Sequence, residues 1–460
     1  MASRSGTREP EETFPGWVML DRFGRTSCHD GQAAADEAVN NDDAAAAVQT
    51  GHSCYFSFTL AAPPKVSYLD LHWPELPAKS AFVLPAYSKV LAADGDLVLL
   101  RISVEPRHNR APCDLFVYAA GHPSSPPSAL RLPLPAEPSD DDDRPTNFLR
   151  QNFGIGILRI APAAVGGQDR GYIVADLAVS DKKKRISPRL RADHDSSNNS
   201  GSNPKFATLC VFSSETGTWR IITRRTPPPQ RSNGGQFPAF WRTDDVLPFD
   251  GRFLCWVDYF KGLLLSDFSS KITSPVLHFV PFPGIQYTND MIPSTMSRSF
   301  LARFRSVAVS QGRMRFVHID NDWHERDHSF NCSDCLERKR QKLGSRITIW
   351  TMENMIENGG NLRFQWEVHR VINLDCLWAQ IGYQDQGLPR RLPEFPVIAA
   401  DDPDVLCCVL REEEFRGKTW MIMVDMKYAY LRACTPYNNF RDVPLLPSVS
   451  LKTLNRPTGN

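Results

Sequence analysis

The chain lacks any long apolar run. No stretch approaches about 18 uninterrupted apolar residues, so no membrane span is expected. Met1 to Glu12 is polar and charged, without the apolar core of a secretory signal. Neither sign of charge is in excess: 53 Lys and Arg stand against 52 Asp and Glu, for a formal net charge of +1. That balance disfavours a surface that coats nucleic acid. The G-x-S-x-G elbow, the P-loop and the dinucleotide fingerprint are all missing. Gly154-Ile-Gly-Ile has two glycines of a nucleotide loop, but Ile157-Leu-Arg-Ile continues it as a strand. Long amphipathic helices are nearly absent, and the best stretch, a short one near Gln32 to Val48, is broken by acids and asparagines.

What remains is β-rich. The 460 residues are 42% hydrophobic and 23% charged, an ordinary globular composition. The 36 Pro, 10 Trp, 11 Tyr and 26 Phe favour short strands and turns over long helices. Period-two runs include Asp96 to Val104, Asp114 to Tyr118, Gly171 to Leu177, Thr208 to Phe212, Arg252 to Val257, Met314 to Ile319 and Arg346 to Trp350. They fall into groups of about four strands, spaced irregularly by roughly 50 to 70 residues. One such sheet cannot bury both faces, so stacking around an axis is the physical solution. The expectation is an all-β, β-propeller-like domain over 15–440 with five or six irregular blades, a disordered tail at 1–14 and a C-terminal tail at 441–460. A pair of β-sandwiches is the alternative. Insertions around 136–146, 182–204 and 322–344 lack the apolar area to order themselves.

The 11 cysteines are odd in number, and Cys210, Cys255, Cys407 and Cys408 sit in strand-like apolar runs. They read as buried free thiols of an intracellular protein, cytoplasmic or nuclear.

Certain segments are distinctive. Trp256-Val-Asp-Tyr-Phe-Lys-Gly-Leu-Leu-Leu-Ser-Asp-Phe, Leu277-His-Phe-Val-Pro-Phe-Pro and Ser306-Val-Ala-Val-Ser-Gln-Gly-Arg-Met-Arg-Phe-Val resemble the plant family called domain of unknown function 1618. Trp17-Val-Met-Leu-Asp-Arg-Phe-Gly and Phe212-Ser-Ser-Glu-Thr-Gly-Thr-Trp look like its upstream part. The strongest match runs over 244–424. The resemblance implies a propeller-like fold similar to the domains associated with F-box proteins, and no reaction. The 16 residues before Trp17 are too few for an F-box, so an adaptor role of that kind is not expected.

Four features could carry function. His324-Glu-Arg-Asp-His328 is a literal H-E-x-x-H, but it lacks the surrounding helical stripe of a zinc protease. Adding Cys332 and Cys335 gives four ligand types suited to tetrahedral zinc, in a spacing unlike common fingers, and the competing reading is a solvated loop. Lys182 to Arg185 and Arg338 to Lys342 are basic runs without interleaved aromatics, which disfavours a nucleic-acid platform. The acid pairs Asp244-Asp245 and Asp401-Asp402 fit turn formation better than acid–base work. Finally, Arg252 to Phe268 reads as a hairpin with Tyr259, Phe260 and Lys261 at its tip, beside Trp256 and Asp258. Exposed aromatics beside charge are the composition of an interface hot spot, and the alternative is that they pack as core. The leading expectation is a non-catalytic module that binds an unidentified protein partner and needs no cofactor. The rivals are a hydrolase with carboxylates at the channel mouth and a zinc-stabilised interaction module.

Overall fold

The computed structural model describes residues 16–27, 44–47, 53–72, 87–103, 114–120, 126–135, 154–160, 171–180, 205–227, 237–238, 240–269, 272–284, 299–320, 345–356, 362–412, 417–437 and 445–448. Strand makes up 62% of it and helix 5%. The chain opens with β1 (Val18–Leu20), β2 (Arg25–Ser27), β3 (Ala44–Ala47), β4 (Ser53–Thr59) and β5 (Val66–His72). Blade one follows with β6 (Tyr87–Asp94), β7 (Leu97–Ser103), β8 (Asp114–Ala119) and β9 (Ser128–Arg131). Blade two holds β10 (Ile155–Arg159), β11 (Tyr172–Ser180), β12 (Phe206–Ser213) and β13 (Thr218–Arg225). Blade three holds β14 (Asp245–Phe249), β15 (Phe253–Asp258), β16 (Gly262–Asp267) and β17 (Val276–Pro281). After α1 (Ser299–Ala302), blade four holds β18 (Arg305–Ser310), β19 (Arg313–Ile319), β20 (Arg346–Ile356) and β21 (Leu362–Asn373). Two short helices, α2 (Leu374–Trp378) and α3 (Ile381–Asp385), lead to blade five, with β22 (Glu394–Ile398), β23 (Val405–Arg411), β24 (Thr419–Asp425) and β25 (Tyr430–Pro436). Each of these five blades is a four-stranded antiparallel meander.

The sixth sheet closes the ring. It runs β26 (Leu446–Ser448), β1, β5, β4, β3, and β2 continues the place of β1 along β5. β26 pairs antiparallel with β1, Leu20 opposite Leu446. The propeller therefore reaches past the expected boundary at 440. Ala44 to Ala47, expected within a short helix, instead pairs with β4 as a strand.

Six apolar clusters hold the fold, one between each pair of successive blades around the circle. This is why the middle strands are apolar throughout rather than alternating. β15, Phe-Leu-Cys-Trp-Val-Asp, is buried at every residue: Leu254 and Trp256 face blade two, while Phe253, Cys255 and Val257 face blade four. The outermost β13 has one face wet and shows a mostly exposed pattern. The expected all-β propeller is what the chain adopts, with six blades. The insertions at 136–146, 182–204 and 322–344, and the tail at 1–14, lie outside the described residues.

Candidate functional site

The inner strands of the blades surround a cavity of about 290 Å³ on the propeller axis. Its wall comes from blade one (Ala93, Asp94), blade three (Asp245 to Gly251, and Tyr259), blade four (Ser306 to Val309), blade five (Pro396, Val397) and β26 (Leu446). Arg22, in the loop after β1, is 2% exposed. Its Nη2 donates to Asp245 Oδ1 at 2.6 Å and its Nη1 to the Leu91 carbonyl at 2.8 Å. The backbone of the same loop is laced to β6, with Val90 N donating to Arg22 O at 2.9 Å. Asp94 accepts the backbone N–H of Arg159 at 2.7 Å. The Arg159 guanidinium turns instead to Asp96. Burial pushes the Asp94 carboxyl up to about 6, against the lowering pull of that N–H and of Arg159.

The hairpin tip is not the exposed surface that its composition suggested. Trp256 and Asp258 are 0% exposed, Tyr259 2% and Phe260 6%. Trp256 Nε1 donates across to Gly154 O of the neighbouring blade at 3.0 Å. The Asp258 carboxylate accepts the backbone N–H groups of Arg242 and Phe260, both at 3.0 Å, so it fixes the turn rather than meeting a partner. Tyr259 and Phe260 fold back into the core between blades three and four. Arg305 Nη1 holds the Tyr259 carbonyl at 2.7 Å. Burial pushes the Tyr259 hydroxyl well above its usual value. Lys261 alone of the five keeps partial exposure. The physical reason is the neighbouring blade: the three-residue turn between Asp258 and Gly262 packs Tyr259 and Phe260 into the apolar cluster with Val307, Met314 and Phe316 of blade four.

Of the acid pairs, Asp402 behaves as a turn former, accepting Asp404 N at 3.0 Å. Asp244 accepts Tyr259 N at 2.9 Å. Asp245 is different, since it lies in the axial wall as the partner of Arg22. Nothing local in the sequence marks Arg22, because its partner is 223 residues away. His324, His328, Cys332 and Cys335, and both basic runs, lie outside the described residues. Among the described residues no group of His, Cys, Asp and Glu is placed to hold a metal ion.

A second feature lies on the outer rim, where blades four and five meet. Tyr428 and Tyr430 are 64% and 38% exposed and stack with ring centroids 6.5 Å apart. Asp425 Oδ1 accepts the backbone N–H groups of Lys427 and Tyr428 at 2.9 and 3.0 Å, and its other oxygen takes Arg432 Nε at 2.9 Å. The turn that carries Tyr428 is thus tied at its base. Arg370, from β21, forks onto Asp404 at 2.8 and 3.3 Å, and lies in the field of Asp425 and Tyr428. No run of period-two apolar residues announces this rim, because it is built from two turns and a strand edge far apart in sequence.

The model of the family described as protein of unknown function DUF1618 matches residues 256–407. The matched segment begins within β15 and ends within β23, so it contains the whole of blade four. It lies inside the 244–424 stretch singled out from the residues. Among curated proteins none matches the chain. Among solved structures, a putative 6-phosphogluconolactonase from Bacteroides fragilis is 10% identical, covering 88% of this chain and 85% of that one, at a TM-score of 0.24. A mutant of Synechocystis apocarotenoid oxygenase is 11% identical, covering 93% and 79%, at 0.28. The Swd1 β-propeller domain of Myceliophteria thermophila is 8% identical, covering 50% and 82%, at 0.19. At these scores the likenesses carry no inference about this chain. The propeller rests on its own strand order and on the six interblade clusters.

Proposed function

We propose that this chain is a non-catalytic propeller that binds another protein through the rim between blades four and five. The observation that supports it is the exposed, stacked pair Tyr428 and Tyr430 on a turn fixed by Asp425 and Arg432. Rigid aromatics beside an arginine are the usual energetic centre of an interface, and a turn already ordered loses little entropy on binding. The DUF1618 family description assigns no reaction that competes with this reading. The buried thiols of Cys255, Cys407 and Cys408 suit an intracellular, reducing setting.

Proximity labelling in the native tissue, comparing wild type with the Tyr428→Ala, Tyr430→Ala double variant, tests the proposal. The expected result is loss of a specific partner at unchanged melting temperature, with a binding loss of about 2 kcal/mol or more once that partner is titrated. A partner set identical in wild type and variant overturns the rim as the binding surface.

One observation favours a second reading, a hydrolase at the axis. Asp94, raised to about 6 by burial, and Asp245, held by Arg22, share one cavity. Two carboxyl groups in unlike environments are the ingredients of acid–base hydrolysis. Turnover of chromogenic glycosides or esters, abolished by Asp94→Asn, would support it. The zinc-stabilised alternative through His324, His328, Cys332 and Cys335 is tested by the metal content of the purified chain.

A further inference from the structure

The axial cavity holds a charge pattern that neither the rim reading nor the fold explains. Its wall is mostly apolar, with Val246, Val307, Pro396 and Leu446 among the side chains. Set into that wall are three carboxylates, Asp94, Asp245 and Asp250, and, among the described residues, no lysine, arginine or histidine. Arg22 reaches one of the three, Asp245. Asp94 receives a backbone N–H but no guanidinium hydrogen bond, since the side chain of Arg159 is engaged by Asp96. Ser306, also on the wall, is 9% exposed, and its hydroxyl, able to donate and to accept, has no hydrogen-bond partner. A cavity of this size is at the small end of the range that takes organic ligands, about 300–1,000 Å³.

We propose that this cavity binds a small organic cation, an ammonium group on a short apolar body, with Asp94 as its counter-ion. The apolar walls take the body, and the surplus carboxylate takes the charge. A bare metal ion fits less well, because the acids do not converge: among the described residues no group of three metal-ligating side chains is placed to share one ion. An anion meets three carboxylates and no described cationic side chain in the wall. A neutral molecule adds nothing to the partial compensation that Arg159 gives the buried Asp94 carboxylate. The charges that face Asp94 are Arg159 and Asp96, and Asp245, Asp250 and Tyr259 share its cavity. Since burial already raises Asp94 to about 6, a bound cation favours its ionised form, so binding expels a proton near that pH and weakens as the pH falls below it.

Calorimetric titration of the full chain with n-butylammonium, tetramethylammonium, n-butanol and butyrate tests this directly. The expected result is one saturable site for the ammonium probes, with n-butanol and butyrate weaker. Affinity should fall by about tenfold for each pH unit below 6, the signature of one required ionisation. Near pH 6, repeating the titration in buffers of different ionisation enthalpy should reveal proton release, a readout that needs no variant. Asp94→Asn should weaken ammonium binding by at least about tenfold, the equivalent of one pKa unit of charge pairing, while the Tyr428→Ala, Tyr430→Ala variant binds normally. Equal binding of n-butanol and n-butylammonium, tighter binding of butyrate, absence of proton release, or no saturable site at millimolar probe overturns the proposal. Each of these results leaves the rim reading standing.

Discussion

Arg22 and Asp245 are joined across the propeller axis, Nη2 to Oδ1 at 2.6 Å, although 223 residues separate them. The arginine comes from the closing blade's first loop and the aspartate from the start of blade three, so one ion pair spans the ring. Its side chains are 2% and 12% exposed. Removing one partner from such a pair strands a buried charge, which costs about 3–5 kcal/mol, whereas replacing both costs far less. Arg22→Met should therefore lower the unfolding free energy by that amount in urea at neutral pH. The Arg22→Met, Asp245→Leu double variant should recover most of it. Equal stability of the single variant and wild type would show that the pair contributes nothing.

Gly262 has a role that its neighbours' burial makes strict. Its φ is 149°, and a Cβ there would stand 2.3 Å from the Val280 carbonyl oxygen and 2.7 Å from Pro281 Cα. Both obstacles are backbone of β17 and cannot rotate away. Gly262→Ala should cost at least about 1–3 kcal/mol, the usual range for an imposed backbone conformation, measured by chemical denaturation. Gly95, whose φ is 63° with open space around it, should cost less on the same substitution.

Phe260 is core, so its truncation should read as stability rather than binding. Phe260→Ala should lose about 3–5 kcal/mol, as large-to-small changes in closely packed interiors do. A variant that keeps wild-type stability would return the 256–261 tip to the surface.

How far the sequence reveals these features depends on the range of the interactions. Strand grouping is a local signal, and Arg252 to Val257, Met314 to Ile319 and Arg346 to Trp350 all form strands where the period-two runs place them. The grouping leaves the count at five or six blades, because the sixth sheet joins β26 to β1, β5, β4 and β3 from distant parts of the chain. The tip of the 252–268 hairpin was misleading because an aromatic pair beside charge has the same composition whether it faces water or the next blade. Only the position of Val307 and Phe316 opposite Tyr259 and Phe260 decides it. The closing pairing of Leu20 with Leu446, and that of Arg22 with Asp245, join residues from distant parts of the chain and leave no periodic trace. Ala44 to Ala47 has high helix propensity, and pairing with β4 overrides it.

Among the described residues the thiols differ in burial, with Cys434 intermediate. Cys54, Cys210, Cys255, Cys407 and Cys408 are buried, while Cys376 is exposed on α2. Burial pushes Cys54 and Cys407 up to about 12 and also raises Cys255 and Cys408, so thiolate is scarce at all four. Iodoacetamide under native conditions at neutral pH should modify Cys376 well before any of these. Peptide mapping after brief labelling checks the order, and early modification of Cys255 or Cys408 would mean that blade three or five opens readily.

Asp94 gives the fold a pH dependence opposite in sense to that of its ion-paired acids. Burial, opposed by the Arg159 N–H, raises it from 3.8 to about 6 in the native state. Between roughly pH 4 and 6 the native protein therefore binds a proton that the unfolded chain has released. Where the native state holds the extra proton, stability falls as the pH rises, and above the native pKa that contribution stays lost. Asp404 behaves in the other direction. The hydrogen bond from Arg370 lowers its pKa, so its contribution is present above the unfolded value and disappears only in stronger acid. Asp94→Asn keeps an oxygen for the Arg159 N–H and removes the charge. At pH 7.5 it should be more stable than wild type by about 1–3 kcal/mol, following the size of the shift. The difference should shrink as the pH falls from 6 to 4 and vanish below that. Denaturation of both proteins at a series of pH values measures it; a variant less stable than wild type at pH 7.5, by a margin constant down to about pH 4, would show that the native state favours the ionised Asp94 instead.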